Sequence, residues 1–163
     1  MKNKTLIYPL IALAAIFLVT LACGSSSSGV KVGESTTNPS TSGPPTVELN
    51  KIGDIMQVGD QTIVLNTAEF QGNTLHANFT IENKGSTDLN ISSLISFEAK
   101  DSEGTKLEQE IFDCGTSSLS GKVLPGDKLK GDICWSGATT DTVKIYYSAE
   151  LFSSGAVVWE VNK

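Results

Sequence analysis

The side chains able to do acid-base or covalent chemistry are few in this sequence. His76 is its only histidine, so a Ser-His-Asp or Cys-His arrangement would have to use it. It sits in "NTLHANFTIEN", where Leu75, Ala77, Phe79 and Ile81 alternate with His76, Asn78, Thr80 and Glu82. A period of two places the histidine on the wet face of a regular strand. No G-x-S-x-G elbow accompanies it. The expectation is a surface histidine, no catalytic residue, and a protein that is not an enzyme. Carboxylates are the second chemical group: Glu98, Asp101, Glu103, Glu108, Glu110 and Asp113 crowd the stretch "FEAKDSEGTKLEQEIFD". Paired acids there could hold Ca2+ or form a two-carboxylate hydrolase site. The spacing is not that of an EF-hand loop, and Lys100 and Lys106 interleave with the acids. A solvated hairpin is therefore the default, with a weak calcium site as the alternative. Among the aromatics, Trp135 shares the parity of Ile133 and Trp159 that of Val157 and Val161, which assigns both to the core. Tyr146, out of phase with Val143, Ile145 and Tyr147, is the exposed candidate for a binding groove. Asn78-Phe79-Thr80 and Asn90-Ile91-Ser92 match the N-glycosylation acceptor pattern.

Thiols form the third group, and Cys23, Cys114 and Cys134 make an odd set. The first of them ends an apolar run, "LIYPLIALAAIFLVTLAC", that follows the positive Lys2 and Lys4. From Leu10 to Leu21 every residue except Thr20 is apolar, the length of a secretory h-region. A bilayer-spanning helix needs about 20 apolar residues, and the stretch here contains Pro9 and falls short. The closing Thr20-Leu21-Ala22-Cys23 resembles the lipobox of prokaryotic lipoproteins, in which the thiol is acylated and the preceding peptide bond is cut. Ala22 and Cys23 fit that pattern, whereas Thr20 and Leu21 stand in reverse order to it. Ordinary signal cleavage and retention as an uncleaved anchor are the alternatives. On the lipoprotein reading, residues 1–22 are a signal peptide and Cys23 carries lipid. The protein is then exported and held at the cell membrane, facing the extracytoplasmic side. Cys114 and Cys134 are left as a pair in an oxidising compartment. Their bridge would close a loop of about 21 residues, worth on the order of 3 kcal/mol in the chain-entropy model. Two free buried thiols are the alternative. With the pair oxidised, one histidine leaves too few ligands for zinc, and no metal or cofactor is expected.

Charge narrows the partners. The chain carries a formal net charge of -6 and no arginine, and loss of Lys2 and Lys4 with the leader makes the remainder more acidic still. Phosphate backbones repel such a surface, which excludes nucleic acid. Without arginine's planar fork, bidentate recognition of phosphate or carboxylate falls to lysine or backbone amides.

Three segments position these groups. Residues 23–46 comprise the cysteine and "GSSSSGVKVGESTTNPSTSGPP", which has too little apolar surface to offset its ordering entropy and reads as a flexible tether with a reach on the order of 25 Å. Residues 47–163 show strand signals and almost no helical periodicity. Besides the strand bearing His76, strands are predicted in "QTIVLNTAEF", "LISFEAKD", "KLKGDICW", "TVKIYYSAE" and "AVVWEVN", separated by Gly, Asn, Asp, Ser and Pro clusters. Strands at this spacing argue for an all-β sandwich or barrel. In "KLKGDICW", Leu129, Ile133 and Trp135 share one face and Cys134 lies on the other with Lys130 and Asp132. The bridge is thus expected to pin the Cys114 loop to the outer side or edge of a strand, unlike the core-spanning bridge of antibody domains.

The elements "VGDQTIVLN", "NKGS", "DSEGTKL", "LPGDKLKGDICW" and "VVWEV" together resemble a family of prokaryotic exported proteins of unknown function. The resemblance covers about Ile52 to Lys163. It implies a telokin-like, immunoglobulin-like antiparallel β-sandwich of about seven to eight strands, similar to that of the mycobacterial immunoprotective secreted antigen. It supplies no catalytic residues. The expected function is that of a membrane-anchored surface lipoprotein presenting a non-catalytic domain for recognition of a protein partner, by loops or by strand addition at a sheet edge. A small-ligand or metal-binding accessory protein of an envelope machine, or a peptidase inhibitor, is the alternative.

Overall fold

The computed structural model describes residues 30–31, 49–111, 114–115, 117–149 and 157–163. The predicted signal peptide and Cys23 lie outside the described residues. In chain order the elements are β1 (Val30–Lys31), β2 (Leu49–Asn50), β3 (Ile55–Val58), β4 (Gln61–Gln71), β5 (Thr74–Asn83), β6 (Leu89–Ile91), α1 (Ser93–Ser96), β7 (Phe97–Asp101), β8 (Glu108–Glu110), β9 (Gly121–Val123), β10 (Lys128–Ser136), β11 (Thr142–Tyr147) and β12 (Val157–Asn162).

The strands assemble into a six-stranded sheet in the order β1-β3-β4-β5-β10-β8, a four-stranded sheet β2-β12-β11-β7, and a small pair β6-β9. Every pairing is antiparallel except that of β2 with β12. This is the all-β sandwich that the strand spacing predicts. Its core follows from alternation. Leu75, Ala77, Phe79 and Ile81 of β5 are buried while their neighbours are half-buried, and Val143, Ile145 and Tyr147 of β11 face them from the other sheet. Phe79 lies 4.8 Å from Phe97 and 5.7 Å from Trp159, and Phe97 lies 4.8 Å from Tyr147, so four rings join the two layers. Trp135 and Trp159 are fully buried, as their parity predicts.

Three local features depart from simple alternation. A bulge between Leu65 and Thr67 sets Asn66 aside from the ladder, so the inward parity changes from Ile63 and Leu65 to Ala68 and Phe70. The strand predicted in "LISFEAKD" begins only at Phe97. Residues 93–96 make a single helical turn, in which the amides of Ile95 and Ser96 both donate to the Ser92 carbonyl. Leu94 and Ile95 consequently point outward, 58% and 57% exposed. Within the stretch predicted as tether, Val30–Lys31 pairs with Gln57 and Met56 of β3, and Lys31 forms an ion pair of 2.9 Å with Asp54; the remainder of residues 23–46 lies outside the described residues.

Two of the sequence motifs meet at one buried side chain. Asn83 of "NKGS" is 0% exposed. Its amide nitrogen donates to the carbonyls of Thr87 and Val123, and its amide oxygen accepts from Gly85. Its backbone exchanges hydrogen bonds with Asp127 and Gly126 of "LPGD". Gly126 adopts φ 83°, a left-handed conformation that glycine reaches without a Cβ penalty.

Candidate functional site

The polar residues of β4, β5 and β10 that face away from the core form a continuous track across the six-stranded sheet. Asn66, freed by the bulge, donates from Nδ2 to Asn78 Oδ1 and Thr80 Oγ1, both at 2.9 Å. Asn78 donates in turn to Asp132 Oδ1 at 2.6 Å. One register step along, Glu69, His76, Cys134 and Glu110 stand opposite one another on four adjacent strands. A small cavity of about 120 Å³ lies over this region, bounded by Thr67, Glu69, His76, Asn78, Gly115 and Asp132.

Cys114 and Cys134 form a disulfide with a Cα–Cα distance of 5.5 Å. Cys134 occupies the outer face with Asp132, yet it is only 1% exposed because the Cys114 segment lies over it. The bridge is therefore on the side that parity predicts. The chain from Cys114 then runs along the edge of β10: Asp132 N–H donates to the Ser117 carbonyl at 2.7 Å, and Ser118 forms a parallel bridge with Asp132. Leu119 next turns inward to complete burial. It can do so because residue 131 is glycine; a Cβ there would lie 2.6 Å from the Leu119 nitrogen.

His76 borders the small cavity together with Thr67, Glu69 and Asp132, and its Nδ1 lies 3.1 Å from Cys134 Sγ. His76, Cys114 and Cys134 bring their ligand atoms within 4.8 Å of one another. The sequence pairs Cys114 with Cys134, but it does not bring His76 to them, since that depends on the register of β5 against β10.

The acidic hairpin is dispersed rather than convergent. Glu98 pairs with Lys100 at 3.0 Å and Lys106 at 3.8 Å. Asp101 turns inward and accepts from the backbone amides of Glu103 and Thr105 and from the Thr139 hydroxyl. Glu108 and Glu110 sit on β8, and Asp113 lies outside the described residues. Tyr146 is half-buried, with Lys100 Nζ 5.3 Å from its ring centroid. Of the two acceptor triplets, Asn78 has its amide nitrogen committed to Asp132, whereas Asn90 is exposed.

A second region flanks β8, the terminal strand of its sheet. Two grooves of about 400 and 430 Å³ border it, and Leu94 and Gln109 line both. Leu94, Ile95 and Ile111, the last 68% exposed, present apolar side chains beside this edge. The Ser93 amide donates to Ser120 Oγ at 3.0 Å, which ties the helical turn to the loop after the disulfide. Sequence reading missed this region because "LISF" reads as a buried strand. Among the described residues no helix is long and apolar enough to cross a membrane.

Residues 49–157 match the family described as Domain of unknown function (DUF4352). No curated protein matches the sequence. The yjhA protein from Bacillus subtilis shares the fold with TM-score 0.55 at 16% identity, over 70% of this chain and 98% of that one. A protein from Bacillus subtilis strain 168 described as a "putative lipoprotein (ycdA)" does so with TM-score 0.55 at 12% identity, over 69% of this chain and 39% of that one. A secreted protein of Mycobacterium tuberculosis, MPT63, aligns with TM-score 0.43 at 12% identity, over 65% of this chain and 83% of that one.

Proposed function

The chain belongs to the DUF4352 family, and from that premise we propose that it is an exported lipoprotein, anchored through Cys23, whose sandwich recognises an extended segment of a partner protein in the cell envelope. The observation that carries this reading is the β8 edge. Its outer side has no paired strand among the described residues, and it lies between two grooves beside exposed Leu94 and Ile111. An added strand would gain backbone hydrogen bonds from such an edge and side-chain specificity from the flanking grooves. Exposed apolar side chains grouped in this way mark interaction surfaces. Recognition needs no catalytic group, consistent with a histidine whose near neighbour is a disulfide sulfur. Export is supported by the leader, by the disulfide, which persists in oxidising compartments, and by the lipoprotein description of one structural neighbour.

Photocrosslinking from position 94 or 111 in the native envelope tests the reading. One dominant protein adduct is expected, reduced at least fivefold by Ile111→Lys in a chain of unchanged melting temperature. An adduct pattern identical to that from a probe at exposed Asp60, in the turn between β3 and β4, would refute it. Cys23→Ala should move the protein from the membrane to the soluble fraction, and undiminished membrane retention would count against the lipid anchor.

A further inference from the structure

The oxidised pair conceals a donor set. His76 and Cys134 are direct cross-strand partners near the middle of the six-stranded sheet, so neighbouring ladders on both sides fix their separation. Cys114 reaches them from a loop. The three donor atoms lie within 4.8 Å of one another. Tetrahedral zinc with Zn–S of about 2.3 Å and Zn–N of about 2.0 Å sets its donors roughly 3.5–3.8 Å apart. The two sulfurs are too close for this because they are bonded to each other, and the 3.1 Å from His76 Nδ1 to Cys134 Sγ opens by about 0.4 Å once the sulfurs part. Glu69 and Glu110 flank the row on either side, and Asp132 borders the adjoining cavity. These carboxylates favour a cation there. The cavity beside His76 leaves room for water as the fourth ligand.

We propose that reduction of Cys114–Cys134 converts this face into a zinc site with His76, Cys114 and Cys134 as ligands and water in the fourth position. The reductant is a dithiol. Its two thiols are oxidised to a disulfide while the Cys114–Cys134 bond breaks and each sulfur takes up a proton. Binding of Zn2+ then releases those two protons as the sulfurs become thiolates. Metal binding is thereby gated by oxidation state: the closed disulfide has no thiolate to offer, and the metal-bound thiolates resist reoxidation.

The test uses the full-length chain in detergent, with Cys23→Ala to remove the third thiol. The chain is reduced anaerobically by a phosphine and titrated with Co2+ as a spectroscopic stand-in for Zn2+. The expected result is one equivalent bound, with sulfur-to-cobalt charge-transfer absorption in the near ultraviolet and tetrahedral ligand-field bands in the visible. Both should be abolished by one equivalent of Zn2+. The oxidised chain should show neither. His76→Ala should weaken binding at least tenfold, the lower bound seen even for loss of an outer-shell partner. Absence of these bands in the reduced chain, or a His76→Ala titration superimposable on that of the parent, would overturn the proposal. A reduced chain that loses its strand circular dichroism should regain it on adding Zn2+; failure to regain it would equally overturn the proposal.

Discussion

Asp101 shows how a single side chain couples the fold to pH. It is 3% exposed, and burial alone would raise its pKa. Hydrogen bonds from Thr105, Thr139 and Glu103 together outweigh burial and hold its carboxyl below the ordinary value. Its folded pKa therefore lies below its unfolded one, so the stability it contributes is complete above about pH 4 and is lost as pH falls through the folded value. Asp101→Ala should lower the melting temperature at neutral pH and flatten its decline below about pH 4. Equal declines in the two proteins, followed by circular dichroism, would refute this. Asp54, whose pKa is lowered by the Lys51 amide and Lys31, should keep part of the acid limb in the variant. At this scale the sequence was informative wherever a residue lies inside a regular strand: parity alone placed Trp135, Trp159 and Cys134 on their correct faces. It misplaced Asp101, read as part of a solvated hairpin, because an acid at a strand end reads as solvated until its amide and hydroxyl donors are seen.

Among the elements, β10 and the segment that crosses its edge depend on each other. Leu129, Ile133 and Trp135 were predicted to share a face, but the inward position between Leu129 and Ile133 is Gly131, which leaves a gap. Leu119, from a loop a dozen residues earlier, fills it. Gly131→Ala should therefore cost roughly 1–3 kcal/mol through backbone displacement, and Leu119→Ala roughly 2–5 kcal/mol through the cavity it leaves. Urea midpoints measure both, and a Gly131→Ala protein as stable as the parent would show that the contact is not tight. The helical turn at residues 93–96 was illegible for a related reason. Its apolar Leu94 and Ile95 carry a strand signature, and what diverts them is the pair of amides bonded to the Ser92 carbonyl. The bulge at Asn66 was likewise hidden, although the change of inward parity from Leu65 to Ala68 was present in "QTIVLNTAEF" as its trace.

For the molecule as a whole, two-layer architecture was legible because several segments independently repeat a period of two. The exposed β8 edge was not, since which strand ends up terminal is a matter of topology. The disulfide acts at this scale, closing a loop across a sequence separation of 20. Replacing both cysteines with alanine should lower unfolding free energy by about 3 kcal/mol, read from urea denaturation with and without reductant; reductant should shift the parent's midpoint and leave the variant's unmoved. The parallel pairing of strands β2 and β12 carries a mechanical corollary. Leu49 and Asn50 lie alongside Val158 and Trp159, and the Asn50 side chain is bonded to the Val158 carbonyl. Stretching the polypeptide from its two ends drags these strands past each other in opposite directions, so their bonds bear the load together in shear instead of opening one by one like a zip. The sulfur crosslink meanwhile withholds about 70 Å of contour from the extending polymer, a shortfall that optical tweezers would register and a reducing buffer would restore.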